Sequence, residues 1–172
     1  MRDPRRNIVL IGMAGAGKST VGVLLAKAMS RAFIDTDLVI QAAEGRRLQD
    51  ILDADGVEAF RRIEEKHVLA LVARGAIIAT GGSVVYSARA MAHLKADGTV
   101  VYLYLPTTAL EARVTNLGSR GIAMAPGQTF AEVYNERRPL YERYADITID
   151  CMGLSHEDVV LRAIAELERL KV

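Results

Sequence analysis

Residues 12–19 read Gly12-Met13-Ala14-Gly15-Ala16-Gly17-Lys18-Ser19 and fit the pattern G-x-x-x-x-G-K-[ST]. The apolar run of residues 7–11 precedes them, and apolar side chains at helical spacing follow at positions 21, 24, 25 and 28. A strand, a glycine-rich turn and a helix in this order form a P-loop, whose backbone N–H groups bind phosphate oxygens. Lys18 reaches the β and γ phosphates, and the Ser19 hydroxyl binds Mg²⁺. The stretch therefore predicts a nucleoside triphosphate site.

The composition limits the class of protein. The chain has 172 residues, 51% of them hydrophobic, which suits one buried core and is too short for two typical domains, so we expect a single domain over residues 1–172. The 22 basic and 21 acidic residues leave a net charge of +1, which gives no general attraction to nucleic acid or to anionic membranes. A lone cysteine, Cys151, excludes an internal disulfide, and no secretory or membrane-spanning run is visible. We expect a cytoplasmic monomer that binds neither nucleic acid nor membranes.

The three histidines carry no catalytic signal. His67, His93 and His156 lie far apart in the sequence, without a nucleophile pattern or zinc-like spacing nearby. We expect all three to be surface residues or to be hydrogen-bonded.

Apolar runs recur along the chain, at residues 7–11, 32–34, 76–80, 99–105 and 146–150. Segments of helical periodicity separate them, which is the alternation typical of parallel βαβ units. The run before Pro106 is apolar throughout, as expected of a strand that is covered on both faces. The sequence thus predicts an α/β protein with a parallel sheet.

Two capping boxes and one irregular stretch divide the second half of the chain. Thr108 with Glu111 predicts a helix that starts near residue 109, and Ser155 with Asp158 predicts an amphipathic C-terminal helix. Residues 116–128 are rich in glycine and proline, which favours a mobile loop over a plain surface connector.

Two aspartates follow the second apolar run, in Phe33-Ile34-Asp35-Thr36-Asp37. Side chains alternate along an extended segment, so both carboxylates are expected on one side of it. Because the carboxyl ends of parallel strands line the ligand crevice, Asp35 is a candidate metal ligand and Asp37 a candidate partner for a substrate hydroxyl. The alternative is that the two aspartates are a helix N-cap and a turn residue.

Several motifs together resemble those of shikimate kinases. The P-loop and D-x-D are followed by Phe60-Arg61-Arg62-Ile63-Glu64, by Thr80-Gly81-Gly82-Ser83 and by Arg137-Arg138-Pro139-Leu140-Tyr141. Their order and spacing match that family from about residue 8 to residue 150.

The resemblance implies a fold and an activity. The fold is a three-layer α/β/α P-loop kinase fold with a five-stranded parallel sheet, a helical substrate-binding region at about residues 35–62 and a mobile lid at about residues 116–130. The activity is ATP-dependent and Mg²⁺-dependent transfer of the γ-phosphoryl to a hydroxyl of shikimate, which gives shikimate 3-phosphate in aromatic amino-acid biosynthesis. Catalysis then comes from positioning and electrostatics, without a covalent protein intermediate.

The resemblance also implies roles for individual residues. The implied nucleotide-binding residues are Gly12, Gly15, Ala16, Gly17, Lys18, Ser19, Thr20, Arg113 and Arg120. The implied metal ligands are Ser19 and Asp35, and the implied substrate-binding residues are Asp37, Arg61, Gly81, Gly82 and Arg137. The implied catalytic residues are Lys18, Asp37 and the lid arginine Arg120.

The substrate-binding residue types suit a hydroxylated carboxylate. The guanidinium forks of Arg61 and Arg137 match a carboxylate bidentately and keep their charge. Gly81 and Gly82 let the backbone approach a substrate closely, although a simple turn at the strand end would use the same residues. The neighbouring arginines have no comparable motif, and we expect them on the surface: Arg46, Arg47, Arg62 and Arg138.

The chain departs from the shikimate kinase pattern at two places on the acceptor side. Ser83 replaces a third glycine, and the lid continues from Arg120 into Gly121-Ile122-Ala123-Met124-Ala125-Pro126-Gly127-Gln128-Thr129 in place of a proline-leucine-leucine sequence. Another small hydroxy acid such as homoserine, with its ammonium paired to Asp37, is therefore an alternative acceptor. A nucleotide-dependent regulatory module is a third interpretation, although a switch does not need a carboxylate clamp.

Overall fold

The computed structural model describes residues 6–114 and 121–171. Strands and helices alternate along the chain in these two parts. The strands are β1 (Asn7–Ile11), β2 (Phe33–Asp35), β3 (Ile77–Ala79), β4 (Gly98–Tyr104) and β5 (Ile147–Asp150). The helices are α1 (Lys18–Met29), α2 (Thr36–Glu44), α3 (Leu48–Ala70), α4 (Ala88–Ala96), α5 (Thr107–Arg113), α6 (Phe130–Tyr144) and α7 (His156–Arg169), with a short 3-10 turn at Val84–Tyr86 after β3. Arg120 lies outside the described residues, as does the start of the expected lid.

The five strands form one parallel sheet in the order β2-β3-β1-β4-β5. Its centre is β1, in which Leu10 pairs with Ala79 of β3 on one side and Val101 of β4 on the other. All residues of β1 are buried, and β4 is buried except at Tyr104. Covering on both faces explains why these strands are continuous apolar runs and do not alternate. The expected α/β fold with a five-stranded parallel sheet is confirmed.

Helix starts follow the capping chemistry in one of the two predicted cases. Ser155 caps α7, and its hydroxyl accepts from the Asp158 backbone N–H, as predicted. The box predicted at Thr108 is wrong, because α5 already begins at Thr107. The carbonyl of Pro106 accepts hydrogen bonds from the backbone N–H groups of residues 109 and 110, so Thr108 lies inside the first turn and is not the cap.

Glycines shape the turn between β1 and α1. Gly12, Gly15 and Gly17 have φ angles of 145°, 85° and 92°, a region that favours glycine. At Gly12 space is also limiting, because a Cβ there would lie 2.8 Å from the backbone oxygen of Leu103 in β4. The P-loop therefore keeps its shape by packing against the neighbouring strand.

A second, smaller apolar cluster lies beside the sheet and fixes the region opposite the P-loop. It joins α2, α3 and the segment after residue 120, through Ile40, Leu48, Ile51, Leu52, Phe60 and Ala123. The backbone N–H of Gly121 donates to Gln49 Oε1 of α3 at 3.2 Å.

Within the described ranges, no helix combines the length and apolar character that crossing a membrane requires.

Candidate active site

A cavity of about 880 Å³ opens beside the P-loop and the end of β3. Its position agrees with the rule that ligands bind at the carboxyl ends of the strands of an open α/β sheet. Its lining comprises Ala14, Gly15, Gly17, Lys18, Ser19, Thr20, Asp37, Phe60, Glu64, Thr80, Gly81, Gly82, Ser83, Arg113, Gly121, Ile122, Ala123, Arg137, Leu154, Ser155, His156 and Glu157. We call the part formed by residues 14–20 the P-loop end and the part around Asp37, Glu64 and Gly81 the Gly81 end.

Lys18 is held against its own loop. Its Nζ donates to the carbonyl oxygens of Gly12 at 2.7 Å and Met13 at 2.8 Å. Burial lowers the pKa of Lys18 to about 8, opposed by the negative charge of Asp37. An ammonium has three donors, so one remains for an oxygen of a bound phosphate, whose charge would restore the usual pKa.

Asp35 links the P-loop to the second strand. One carboxylate oxygen accepts from Ser19 Oγ at 2.6 Å, and the other accepts from the backbone N–H of Asp37 at 2.9 Å, which makes Asp35 the N-cap of α2. The prediction that both aspartates lie on one side of an extended segment is wrong, because the strand ends at Asp35. The cap turns the chain into a helix, and the first helical turn brings Asp37 to the cavity.

The Ser19 and Asp35 oxygens fit a magnesium ion. A hydroxyl and a carboxylate are hard oxygen donors, and Mg²⁺ at phosphate-transfer sites uses one or two protein ligands together with water and phosphate oxygens. A dedicated cage of three or more acidic, histidine or cysteine ligands is absent from the part of the chain that the structure describes. The donor set is that of an ion carried with a nucleotide.

Two carboxylates meet the backbone at the Gly81 end. A Cβ at Gly81 would clash with Glu64 Oε1 and lie 2.8 Å from Asp37 Oδ1. Both oxygens are inaccessible and have no hydrogen-bond partner among the described residues. Burial and the nearby Asp35 charge raise the pKa of Asp37 to about 6, against the opposing effect of Lys18, and burial raises that of Glu64 to about 7. The arrangement can accept hydrogen bonds from two donors of a ligand.

Sequence reasoning missed Glu64, although the residue stands in the F-R-x-x-E motif. Its side chain is 2% exposed, on the same buried face of α3 as Phe60, four residues earlier. A carboxylate on an otherwise apolar helix face was the available signal, since glutamate is rarely buried without a partner. The partner is Ser83, whose Oγ donates to Glu64 Oε2 at 2.6 Å.

We expect Ser83→Ala to lower the free energy of unfolding by about 1.5–3 kcal/mol at pH 8, because a buried carboxylate loses its donor. The pKa of Glu64 is raised, so the folded protein loses stability as the pH rises from the ordinary value of 4.5 to about 7. Without Ser83 the pKa of Glu64 rises further, so the loss of folding stability extends to higher pH. The destabilisation caused by Ser83→Ala is therefore smaller at pH 5.5 than at pH 8. Urea unfolding followed by circular dichroism at pH 5.5 and pH 8 measures the free energy of unfolding of both proteins.

Ser87→Ala is the matched control for that measurement. Ser87 Oγ donates to Glu65, a more exposed carboxylate, and caps α4. Its removal is expected to cost similar stability at both pH values. An equal cost of Ser83→Ala at pH 5.5 and pH 8 would contradict the assignment of Glu64 as the titrating group.

Arg137 is the second buried cation of the site, beside Lys18. It is 1% exposed, and its NH2 donates to the carbonyl oxygen of Ala123 at 2.5 Å. Its NH1 lies 3.0 Å from the position that a Cβ on Gly82 would take, so glycine is needed there for close approach. Nε of Arg137 is buried and has no partner within the described ranges.

Arg61, the second expected clamp residue, does not line the cavity. Its guanidinium stacks on the ring of Tyr86, with Cζ 4.0 Å from the ring centroid, and its NH1 donates to Glu58 at 3.3 Å. Tyr86 also contacts Arg137, with Cζ 5.3 Å from the centroid. No local pattern points to Tyr86, because its partners are distant along the chain.

Arg113 and His156 line the cavity at its P-loop end, where Arg113 Cβ lies 3.9 Å from the position of a Cβ on Gly15. Arg113 was expected there, whereas His156 was expected on the surface or hydrogen-bonded. His156 begins α7, and its Nε2 lies 3.2 Å from the position of a Cβ on Gly17. The other two histidines are hydrogen-bonded as expected, His67 to Glu44 and His93 to the Leu71 carbonyl.

The fold and the cavity define a class of protein. A P-loop at one end of the cavity, with buried carboxylates and an arginine at the other, is the arrangement of a P-loop kinase for small molecules. A family model described as Shikimate kinase matches residues 14–168. The chain belongs to the shikimate kinase family, whose members are ATP-dependent phosphotransferases with an alcohol group as acceptor.

Individual relatives cover nearly the whole chain. A shikimate kinase of Thermodesulfovibrio yellowstonii is 38% identical over 168 residues, which is 96% of each chain. A shikimate kinase of Thiobacillus denitrificans is 35% identical over 170 residues, 97% of this chain and 93% of the relative. The solved structure of shikimate kinase from Acinetobacter baumannii in complex with shikimate has a TM-score of 0.88 and 29% identity, covering 98% of this chain and 96% of that one.

Proposed function

We propose that this protein transfers the γ-phosphoryl of ATP to a hydroxyl of shikimate and gives shikimate 3-phosphate, a step of aromatic amino-acid biosynthesis. The observation that carries the proposal is that one cavity is lined by the P-loop lysine at one end and, at the other, by Asp37 and Glu64, each with a carboxylate oxygen that has no partner among the described residues. The similarity to a structure with shikimate bound supports the choice of acceptor.

At the P-loop end, backbone N–H groups and Lys18 bind the phosphates. Ser19 and Asp35 would hold Mg²⁺, which supplies neutralisation of phosphate charge when bound. Thr20 and Arg113 contact the nucleotide from the same side, as do the loop glycines and Ala16. Arg113 lies at the end of α5, where it lines the cavity on the nucleotide side.

At the Gly81 end, Asp37 accepts a hydrogen bond from the attacking hydroxyl and orients its oxygen toward the γ-phosphate. The backbone of Gly81 and Gly82 forms the floor under the acceptor. Arg137, which lines the cavity, binds the acceptor carboxylate, and Arg61, which does not line it in this structure, is proposed to reach the same carboxylate when the acceptor is bound. In-line transfer then needs positioning and electrostatic stabilisation and no covalent protein intermediate.

The lid at about residues 116–130 is proposed to exclude water during transfer. Ile122 and Ala123 pack over the Gly81 end, and the Ala123 carbonyl is bonded to Arg137. A lid that closes over a bound acceptor would suppress hydrolysis of ATP by water. We further propose that residues 1–172 act as one domain, in a cytoplasmic monomer that binds neither nucleic acid nor membranes.

Homoserine is the second candidate acceptor, and one observation favours it. Asp37 Oδ1 and Glu64 Oε1 lie on either side of the Gly81 backbone without partners among the described residues. Two carboxylates suit the ammonium of an amino acid as well as they suit two hydroxyls. Homoserine also offers a carboxylate for the arginines and a primary hydroxyl for phosphorylation.

The test is ATP-dependent phosphorylation by the purified protein with shikimate and homoserine supplied separately. ADP release and mass analysis of the product are followed, with a Lys18→Ala variant as the control for contaminating ATPases. We expect shikimate phosphate from shikimate and no product from homoserine. Product from homoserine alone would contradict the proposal and indicate a retuned acceptor site, and acceptor-independent hydrolysis would favour a regulatory module.

A further inference from the structure

Tyr86 contacts both arginines that the proposed function assigns to the acceptor carboxylate. It is the last residue of the 3-10 turn that follows β3. The guanidinium carbons of Arg61 and Arg137 lie 4.0 Å and 5.3 Å from its ring centroid. These two arginines come from different helices, α3 and α6, so the ring is the structural element that brings them together.

The ring is itself fixed by its hydroxyl. Tyr86 OH donates to Glu136 Oε2 at 2.8 Å, and Glu136 Oε1 accepts from Gln128 Nε2 at 2.8 Å. Gln128 belongs to the turn before α6, and Glu136 directly precedes Arg137 in that helix. Glu136 therefore fixes the hydroxyl end of the ring, and Gln128 holds Glu136 in place. Neither Glu136 nor Gln128 lines the cavity.

Stacking leaves the useful part of each guanidinium available. The π face of an aromatic ring attracts the face of a guanidinium, whereas the N–H donors lie in the guanidinium plane and point outward. Arg137 lines the cavity and Arg61 does not, and the Nε of each is buried without a partner in the described part of the chain. Two cations near one another repel, and the ring reduces this cost by interacting favourably with each.

We propose that Tyr86 is a positioning residue for acceptor recognition: its ring holds the guanidinium of Arg137, which lines the cavity, next to that of Arg61, so that the pair is placed to bind one carboxylate. The inference rests on the proposed function, because it concerns Arg61 and Arg137, the two arginines proposed to bind the acceptor carboxylate. Tyr86 does not itself touch the acceptor. It acts on the affinity for the carboxylate and leaves the nucleotide side and the transfer step unchanged.

The test uses Tyr86→Leu and Tyr86→Phe with two acceptors, shikimate and its uncharged methyl ester. We expect Tyr86→Leu to raise the KM for shikimate about tenfold, the size of two lost cation–π contacts. The kcat and the KM for ATP are expected to stay within about twofold of wild type. Tyr86→Phe keeps the ring and loses the hydroxyl bond to Glu136, so its KM for shikimate is expected to rise much less than that of Tyr86→Leu.

The methyl ester separates positioning of the clamp from general damage. The ester has no charge for the arginines, so its KM, or its inhibition constant if it is not phosphorylated, is expected to be equal in wild type and Tyr86→Leu. Tyr144→Leu is the matched control, because Arg143 lies over that ring at 5.7 Å at the far end of α6. Its kinetics are expected to match those of wild type.

The outcomes also separate this inference from the proposed function. A wild-type protein that phosphorylates homoserine and not shikimate overturns the proposed acceptor, and the same comparison is then made with homoserine and its methyl ester. An unchanged KM in Tyr86→Leu, an equal rise for acid and ester, or a Tyr86→Phe variant as impaired as Tyr86→Leu would each overturn the role of Tyr86. A wild-type protein that calorimetry shows to bind neither acid would overturn both.

Discussion

Asp37→Asn is expected to lower kcat by about 10²–10⁴, the range for loss of a positioned general base or proton acceptor. The Asp37 Oδ1 atom is inaccessible and unpartnered among the described residues, beside the backbone of Gly81. An asparagine has the same shape, but it is uncharged and cannot take the proton of the attacking hydroxyl. The KM for ATP is expected to change little, because the phosphate contacts lie at the P-loop end.

The pH dependence follows from the same carboxylate. Burial, with the repulsion of Asp35, raises the pKa of Asp37 to about 6. The ionised form accepts the hydrogen bond, so kcat/KM for the acceptor is expected to fall about tenfold per pH unit below about pH 6 through this group. In Asp37→Asn, the contribution of this group to the acidic limb disappears. An unaltered profile at reduced rate would assign the limb to another group, and Glu64, whose pKa is raised to about 7, is the first candidate.

Stability should change in the opposite direction to activity. The folded-state pKa of Asp37 is raised from 3.8 to about 6, so between these values the folded protein holds a proton that the unfolded chain releases. Stability therefore falls as the pH rises through that window, and at pH 7 the buried charge destabilises the fold. Asp37→Asn removes this charge and is expected to raise the Tm.

Asp55→Asn is the control for the Asp37 measurements. Asp55 forms a surface ion pair with Arg46 at 2.7 Å, away from the cavity. Its replacement is expected to leave kcat unchanged and to alter stability by well under about 1 kcal/mol. A fall in both Tm and kcat in Asp37→Asn would show that the variant is damaged structurally and would contradict the catalytic role.

Local sequence patterns were sufficient for the sheet and the P-loop. β1 and β4 are apolar throughout because both faces are covered, and that pattern is visible in a few consecutive residues. The glycines at 12, 15 and 17 are dictated by positive φ angles within one turn. Each of these features depends on residues that are close in sequence, so the amino-acid sequence of this one protein is enough to predict it.

Competition between two local rules explains the error at Asp35. Strand alternation placed both aspartates on one side, but the capping bond from the Asp37 N–H to Asp35 is equally local and ends the strand. The helix then delivers Asp37 to the cavity by a different route from the one predicted. The error at Thr108 has the same origin, because the Pro106 carbonyl starts the helix before a threonine cap can.

The acceptor side was less accessible to sequence reasoning because its contacts are long-range. Ser83 and Glu64 are 19 residues apart, and the hydroxyl of Tyr86 donates to Glu136 across 50 residues. Nothing in the local pattern distinguishes a serine that fills space from one that holds a buried carboxylate. The same holds for His156, which reaches the P-loop only because α7 packs against α1.

The replacement of a glycine by Ser83 acquires a physical meaning from these contacts. Ser83 lines the cavity, but its hydroxyl donates its hydrogen to Glu64 and has none left to donate to a ligand. Its effect on an acceptor is indirect, through the orientation and charge of Glu64 beside Gly81. We therefore expect acceptor preference to depend on how many donors the ligand offers to Asp37 and Glu64.

Arg120→Ala is expected to have the largest effect on turnover, a loss of about 10³–10⁵ in kcat, as for arginines that stabilise the transition state of phosphoryl transfer. Arg120 lies outside the described residues, and the next residue, Gly121, lines the cavity and is bonded to Gln49 of α3. An arginine whose charge is used only as the phosphoryl group leaves contributes little to the ground-state complex. The KM for ATP is therefore expected to change much less than kcat.

Two further arginines make this assignment testable. Arg113→Ala, on the nucleotide side of the cavity, is expected to raise the KM for ATP and to leave kcat close to that of wild type, because its contacts exist equally before and during transfer. Arg169→Ala removes an exposed arginine that pairs with Glu166 and should change neither constant. Steady-state kinetics with varied ATP and saturating acceptor distinguish the three variants. Normal turnover in Arg120→Ala, or a defect confined to the KM for ATP, would mean that Arg120 binds the nucleotide without stabilising the transition state.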